Sequence, residues 1–235
     1  DEVAVDAAQV VQDLVVALGI ELVAEEGAEH RRAVFPRRGI AELLGLQPGL
    51  RVAGVVQKGQ DSEAPEQWIT YFASADAQAT ADLADESGGQ SAVAPMEIGT
   101  MGTVAMLVDP GGATAGVWQA GQHTGFTRLD EPGTPVWTEL TTRNYRASVL
   151  FYETVFGWTT KVESDTETFQ YTTAEFDGTP LAGIMDGTID LAEDSPARWE
   201  VYFGTENVDR TVALAESLGG RLVDEAEADR ASPDG

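Results

Sequence analysis

Carboxylates and aromatic rings alternate along several predicted strands, and these are the residues whose types and spacing could support chemistry. Side chains two residues apart lie on the same face of a strand. Glu139 therefore shares a face with Trp137, and Tyr202 shares one with Glu200. Tyr71 matches Tyr202 in an internal repeat, and Thr114 and Trp118 share one face of another predicted strand. If these faces line a cleft, their aromatic rings and carboxylates suit a small, flat or cationic organic ligand.

The same residues allow other interpretations. Aromatic rings are common in protein cores, so these rings could simply be packed. Glu139 and Glu200 could also form an acid and base pair, although cleft carboxylates more often bind a ligand or water. His30 and His123 each lack a second histidine or carboxylate at ligand spacing, and we expect surface or capping roles for both. The run Asp109-Pro110-Gly111-Gly112 predicts a turn and not a phosphate-binding loop.

The composition excludes several classes of function. Forty acidic residues against fourteen basic ones give a net charge of −26, which disfavours binding to nucleic acid and to anionic membranes. The absence of cysteine excludes disulfides, a thiol nucleophile and a thiolate metal site. The acidic start, DEVAVDAA, is unlike a secretory signal, so we expect a cytoplasmic protein. The charge itself fits a solvated acidic surface, and its origin in salt adaptation or in a high-GC genome stays open.

A long internal repeat organises the chain. Residues 68–90 recur as residues 199–221 with a constant shift of 131 and no gap. The matched residues include Trp68 and Trp199, Phe72 and Phe203, and Gly88 and Gly219. Weaker matches join residues 1–19 to residues 139–157, and Ala53-Gly54 to Ala182-Gly183. Such a repeat predicts two copies of one structural unit.

The repeat predicts where the modules lie. We expect a first module at 1–122, a linker at 123–134 and a second module at 135–235. Relative to a complete pair, the first module lacks a first strand and the second lacks a closing hairpin, so the chain looks clipped at both ends. Periodicity and capping residues predict helices at 1–19, 76–87, 145–156 and 208–218. The third helix should turn inward the side chains of Val149, Leu150, Tyr152, Val155 and Phe156.

Apolar runs and turn residues predict strands between these helices. The clearest are at 20–24, 68–73, 90–94, 103–108, 114–119, 135–141, 158–163, 168–176, 181–185, 199–204 and 221–224. A hairpin is predicted at 40–56, and the polar residues 25–38 should form a loop or a frayed strand. Together these elements predict an α+β protein.

Several segments resemble the vicinal oxygen chelate superfamily, which contains glyoxalases, bleomycin-resistance proteins and extradiol dioxygenases. They are FYETVFGW, AGIM, MLVDPGGATAGVWQ and WEVYFGTENVDRTVALAESLGG. More narrowly, these segments resemble two-module glyoxalase-like proteins of actinobacteria. The resemblance implies two tandem βαβββ modules whose curved mixed sheets enclose a cleft.

Metal-dependent members of this family hold a divalent cation with side chains that point from the strands into the cleft. The resemblance places the corresponding positions at Trp137, Glu200, Ile69 and Gly116. Only Glu200 could bind a metal, whereas a catalytic metal needs about three protein ligands. We therefore expect no metal and no other cofactor.

The leading hypothesis is a metal-free protein that binds a small organic ligand in an aromatic cleft, as a monomer or a homodimer. The ligand would contact Trp137, Glu139, Glu200, Tyr202, Tyr71, Trp118 and Thr114. The alternative is a metal-dependent lyase, isomerase or dioxygenase of the vicinal oxygen chelate type. A third possibility is a structural or assembly role in which the side chains of the cleft fill it.

Overall fold

A computed structural model describes residues 19–24, 30–34, 52–53, 67–126, 128–176, 178–189, 191 and 195–222. The predicted helix at 1–19 lies outside these residues except for Gly19, and so does most of the hairpin predicted at 40–56. The described elements are, in chain order, β1 (Gly19–Ala24), β2 (His30–Val34), β3 (Tyr71–Ala73), α1 (Ala77–Glu86), β4 (Gln90–Ile98), β5 (Gly102–Val108), β6 (Thr114–Ala120), β7 (Pro135–Thr142), α2 (Tyr145–Phe156), β8 (Thr159–Asp165), β9 (Gln170–Phe176), β10 (Thr179–Asp186), β11 (Arg198–Thr205), α3 (Val208–Ser217) and β12 (Arg221–Leu222). The chain has the predicted α+β fold of tandem modules.

These elements form two compact units that do not follow the order of the chain. The first unit contains Ile69–Gly125 and Thr138–Trp199. The second contains the described residues of Val11–Trp68, Phe126–Trp137 and Glu200–Gly235. Each unit therefore takes strands from both copies of the repeat. The division of the sequence into modules at 1–122 and 135–235 remains a prediction.

The first unit contains two sets of four strands. One sheet has the order β3-β6-β5-β4, and the other strands lie side by side as β7-β10-β9-β8. The pairs β3–β6 and β7–β10 are parallel, whereas the pairs β5–β6, β4–β5, β9–β10 and β8–β9 are antiparallel. Helix α1 packs on β4 and β5, helix α2 packs on β10 and β8, and the two helices contact each other. This arrangement leaves one face of each sheet uncovered by its helix.

The start of each repeated helix is stabilised by similar hydrogen bonds in both copies. The Asp76 side chain caps α1 by accepting from the backbone N–H groups of Gln78 and Ala79. The Asn207 side chain, 131 residues later, caps α3 by accepting from Arg210 N–H. In both copies two hydroxyls 2.7 Å apart link the preceding strand to the first helical turn; the pairs are Ser74–Thr80 and Thr205–Thr211. The repeat thus encodes equivalent local structure.

The buried face of helix α2 differs from the predicted one at one residue. Leu150 was expected to point inward, but it is 63% exposed. The buried stripe follows the three- and four-residue steps of a helix and consists of Tyr145, Ser148, Phe151, Tyr152 and Val155. Leu150 lies off that stripe. Gly157 ends the helix in the left-handed conformation, with φ of 68°.

An aromatic cluster forms the centre of the first unit. The Phe72 ring meets Trp158 edge to face at 4.7 Å between centroids, and it meets Trp199 at 5.1 Å. The indole Nε1–H of Trp199 donates a 2.7 Å hydrogen bond to the hydroxyl of Tyr152, which is fully buried. The cluster therefore joins both copies of the repeat, because Phe72 belongs to the first and Trp199 to the second.

The second unit has the strand order β12-β2-β1-β11. Strand β1 pairs with β11 in parallel, with Ile20 opposite Val201, and with β2 in antiparallel orientation. Residues 30–34, expected as a loop or a frayed strand, are therefore a regular strand. The ring of Trp68 packs on Phe203, also at 5.1 Å. Each unit therefore packs a tryptophan of one copy of the repeat against a phenylalanine of the other copy.

Strand β4 is longer than the predicted span of 90–94. It continues to Ile98 and includes Pro95, because β4 lies at the edge of its sheet and its register shifts between Val93 and Met96. A proline is tolerated at an edge or a bulge because its missing N–H interrupts no ladder there.

Among the described residues, no helix is long and apolar enough to cross a membrane.

Candidate functional site

Tyr71 lies against a glycine on the neighbouring parallel strand. Strand β3 places Tyr71 opposite Gly116 of β6. A Cβ atom built on Gly116 would come within 2.3 Å of Tyr71 Cδ1, so only glycine lets the ring lie this close to the strand. Burial raises the pKa of the Tyr71 hydroxyl, which therefore stays neutral at physiological pH. The position that the family uses on its closing strand is thus covered by an aromatic ring.

Trp118 lies two residues further along β6 and is held by the segment that follows this strand. Its indole Nε1–H donates to the carbonyl oxygen of His123 at 2.9 Å. The imidazole stands edge-on to the indole, with 5.7 Å between ring centroids. Gly125 N–H donates to His123 Nδ1 at 3.2 Å. His123 thus caps the backbone, as expected, and also fixes Trp118. Thr114, near the start of β6, is half-buried.

Glu139 forms a pair with a tyrosine that the sequence had not suggested. The hydroxyl of Tyr171 donates to Glu139 Oε2 at 2.8 Å. Gly183 lies opposite Glu139 in the parallel pair of β7 and β10, and a Cβ there would come within 2.1 Å of the Tyr171 hydroxyl oxygen. The ring of Phe169 stacks on that of Tyr171, with 5.9 Å between centroids and 9° between planes. A glycine inside a predicted strand was the available signal for this close approach.

A side-chain hydrogen bond links strand β7 to the segment just before β3. Thr70 Oγ1 and Thr138 Oγ1 lie 3.0 Å apart. Each threonine directly precedes one of the site residues, Tyr71 or Glu139. The segments that carry these two residues are therefore neighbours within the first unit.

The remaining predicted residues belong to the second unit. Trp137 and Glu200 are half-buried, and Tyr202 is 5% exposed. Two backbone hydrogen bonds tie β11 to the segment before β7: Gly133 N–H donates to Gly204 O, and Gly204 N–H donates to Thr134 O. Of the seven predicted contact residues, Tyr71, Thr114, Trp118 and Glu139 thus lie in the first unit, and Trp137, Glu200 and Tyr202 in the second.

A buried carboxylate in the DPGG turn was also not recognised as such from the sequence. Asp109 is 3% exposed, and its Oδ1 accepts from the N–H groups of Gly111 and Ala113, both at 2.8 Å. Within the described residues, its Oδ2 makes no hydrogen bond of ordinary geometry. Burial raises the pKa of Asp109, against the lowering effect of backbone donors and of the Ser148 hydroxyl. Burial also raises the pKa of Tyr152, and the charge of Asp109 raises it further.

The described residues hold no group of three or more histidine, aspartate or glutamate side chains placed to bind one metal ion. Of the four positions that the family resemblance assigns to metal ligands, Ile69 and Trp137 are half-buried apolar residues, and Gly116 has no side chain. Glu200 is half-buried in the second unit.

Comparisons with known proteins identify relatives along most of the chain. A protein of Mycobacterium tuberculosis named glyoxylase CFP32 is 32% identical over 199 residues, which cover 85% of this chain and 71% of the relative. Anthracycline biosynthesis protein DnrV of Streptomyces peucetius is 31% identical over 164 residues, covering 68% of this chain and 58% of that protein. The crystal structure of BphC, a halotolerant catechol dioxygenase, aligns with a TM-score of 0.41 and 11% identity, covering 86% of this chain and 67% of that one. No family model matches the chain.

Proposed function

We propose that this chain, which belongs to the vicinal oxygen chelate superfamily, binds a small organic ligand on aromatic side chains without a bound metal. The chain is glyoxalase-like in sequence. Its proposed role is to sequester or sense the ligand and not to transform it.

The contact between Tyr71 and Gly116 carries this proposal. In the metal-dependent members, the closing strand supplies a ligand at this position. Here the position has no side chain, and the ring of Tyr71 fills the space. Trp118 adds a second large ring on the same face of β6, fixed by its bond to His123. Rigid aromatic surfaces with a few polar groups are typical of binding sites for small organic molecules.

A metal-dependent lyase, isomerase or dioxygenase is the second candidate. The observation that favours it is the half-buried carboxylate of Glu139, since a carboxylate on a strand is a common metal ligand in such sites. The name glyoxylase, carried by a relative, points in the same direction.

Metal analysis combined with ligand binding separates the two candidates. The protein would be purified without a metal-affinity step and divided into two samples, one dialysed against EDTA. Both samples would be titrated with benzyl alcohol as a neutral aromatic probe, followed by NMR of the protein. We expect substoichiometric metal in both samples and the same affinity for the probe, because the proposed site uses only side chains.

Gly116→Ala is the site variant for this experiment, and Ala79→Ser, at an exposed position of helix α1 in the same unit, is its control. The added methyl group at position 116 would displace Tyr71 and weaken probe binding, whereas the added hydroxyl at position 79 lies outside the proposed site. Stoichiometric Ni, Zn, Mn or Fe, lost on EDTA treatment together with probe binding, would favour the metal-dependent enzyme instead.

A further inference from the structure

We infer that an uncharged aromatic carbonyl compound binds to one face of the sheet β3-β6-β5-β4. This distal face is the one turned away from helix α1, and Tyr71 on it donates a hydrogen bond to the carbonyl oxygen of the ligand. The inference rests on the proposed function, because it names a ligand class for the face that carries Tyr71 and Trp118. All residues of this sheet lie within 67–126, which the structure describes without a gap.

The register of the strands shows which residues form the distal face. Leu107 and Val117 belong to the hydrophobic core that contains residues of α1, so they point towards that helix. The residues next to them along each strand point the other way. Paired residues of neighbouring strands share a face, which gives two adjacent rows across the four strands. The rows are Tyr71, Gly116, Met106 and Val93, and Ala73, Trp118, Val104 and Met96.

Within residues 67–126, the distal face carries no charged side chain, although the chain has 40 acidic residues. Val104 and Met106 in the centre are buried, and Tyr71 and Trp118 beside them are half-buried. The positions that flank the two rows are also uncharged: Gln90, Ile98, Gly102, Val108, Thr114 and Ala120. An ion placed on this face would lose hydration without gaining a charged partner, so the face favours an uncharged ligand.

Two aromatic rings of the distal face cover glycines of neighbouring strands. The ring of Tyr71 lies on Gly116, and the indole of Trp118 lies on Gly102, where a Cβ atom would come within 2.7 Å of Cζ2. Because no side chain lifts them off, both rings stay close to the backbone of the sheet. Aromatic rings pair well with other aromatic rings in offset or edge-to-face geometry. The body of the ligand is therefore expected to be aromatic.

The hydroxyl of Tyr71 supplies the polar contact. Within the described residues this hydroxyl makes no hydrogen bond, and burial alone raises its pKa. The phenol therefore stays neutral and keeps its proton for a ligand. A phenol donates more readily than it accepts, because its ring withdraws electron density from the oxygen. A carbonyl oxygen is an acceptor that adds no charge, so it matches both the hydroxyl and the uncharged face.

The test uses three planar molecules of similar shape that differ in charge. Acetophenone is uncharged, benzoate carries a negative oxygen in place of the methyl group, and benzamidinium is a cation. Each would be titrated into the chain labelled with 13C in its methionine methyl groups, in enough salt to screen the net charge of −26. NMR of these methyl groups would measure both the affinity and the place of binding.

The four methionines of the chain divide into reporters and controls. Met96 and Met106 lie on the distal face, whereas Met101 is exposed in the turn between β4 and β5, and Met185 lies on β10. We expect acetophenone to bind about tenfold more tightly than either ion, because neither ion finds a charged partner on this face. Its binding should shift the methyl signals of Met96 and Met106 and leave that of Met185 in place.

Two matched variants test the hydrogen bond. Tyr71→Phe keeps the ring and should weaken acetophenone binding about fivefold, the effect of one hydrogen bond. Tyr145→Phe also removes a phenol hydroxyl, but one that bonds to Thr172 of β9, so it should leave the affinity unchanged. Near-ultraviolet circular dichroism would verify that both variants keep the fold.

Three outcomes would overturn this inference and leave the proposed function standing, because an aromatic molecule would still bind. They are an ion that binds as tightly as acetophenone, a Tyr71→Phe variant that binds acetophenone no more weakly than Tyr145→Phe, and methyl shifts confined to Met185. Failure of all three molecules to bind would overturn the inference and the proposed function together.

Discussion

Replacement of Asp109 by asparagine should stabilise the protein at neutral pH, although the side chain is buried in a network of hydrogen bonds. The asparagine Oδ1 can accept from the N–H groups of Gly111 and Ala113 as the carboxylate does. Its amide nitrogen would then face the oxygen environment of Ser148 and Tyr152. The variant therefore keeps the turn and removes a buried negative charge, whose desolvation dominates the raised pKa.

Replacement of Asp109 by alanine gives the opposite result and sets the scale. It leaves the N–H groups of Gly111 and Ala113 without their acceptor, and Ala113 is fully buried. Each unsatisfied buried donor costs about 1–3 kcal/mol. Since the charge is removed as well, we expect Asp109→Ala to lower the free energy of unfolding by about 2–4 kcal/mol. The two variants thus separate the hydrogen bonds from the charge.

The dependence on pH gives the sign of the charge effect. Because the folded-state pKa of Asp109 is raised above its ordinary value of 3.8, the folded state binds this proton more tightly than the unfolded state. Protonation then stabilises the wild-type fold as the pH falls through the folded pKa toward 3.8. The advantage of Asp109→Asn should accordingly be full above the folded pKa and should shrink across that window.

Urea unfolding at constant ionic strength, followed by the fluorescence of the buried Trp158 and Trp199, measures these free energies. Asp85→Asn is the control, because this exposed residue also accepts one backbone N–H group and changes the net charge equally. An Asp109→Asn variant that is less stable than wild type at neutral pH, with a deficit that disappears on acidification, would show that the ionised carboxylate stabilises the fold. That outcome would refute the reasoning.

Three further predictions follow from packing and charge. Trp199→Phe should lower the free energy of unfolding in urea by about 1 kcal/mol more than Trp68→Phe does. Both variants lose the same side-chain volume, but only Trp199 donates to Tyr152, whereas the Trp68 N–H is buried without a partner among the described residues. Equal losses of stability would contradict this. Gly116→Ala should destabilise the fold by about 1–3 kcal/mol, measured in the same way, since its methyl group overlaps the Tyr71 ring; an unchanged stability would mean that the ring moves freely. The melting temperature should rise with NaCl into the molar range, because screening relieves the repulsion within a chain of net charge −26; a flat curve in scanning calorimetry would count against this.

The local elements could be predicted because their signals lie within a few residues. The spans predicted for α1 and α2 agree with the observed ones to within one residue. The turn at Asp109 was predicted for the same reason. Its buried charge was not, because burial depends on helix α2, which comes later in the chain.

The candidate site could be predicted only in part, for a physical reason of the same kind. Alternation along β7 puts Glu139 and the fully buried Leu140 on opposite faces of the strand. The partner of Glu139 is Tyr171, two strands away in the sheet, and no spacing in the sequence joins them. Sequence reasoning also could not show that Phe72 would pack on Trp199 and not on a residue of its own copy. Such choices are made by long-range packing.

The exchange of repeated strands between the two units has a consequence for biosynthesis. All described residues of the first unit have left the ribosome's active centre once Trp199 is added, whereas the second unit pairs β1 with β11, which is synthesised much later than β1. Contacts between distant residues form slowly, because a long loop must close first. Strand β1 therefore cannot pair with β11 until the residues between them have been synthesised. During that interval one of its edges has no β11 to bind, and an unpaired edge is open to other chains or to chaperones.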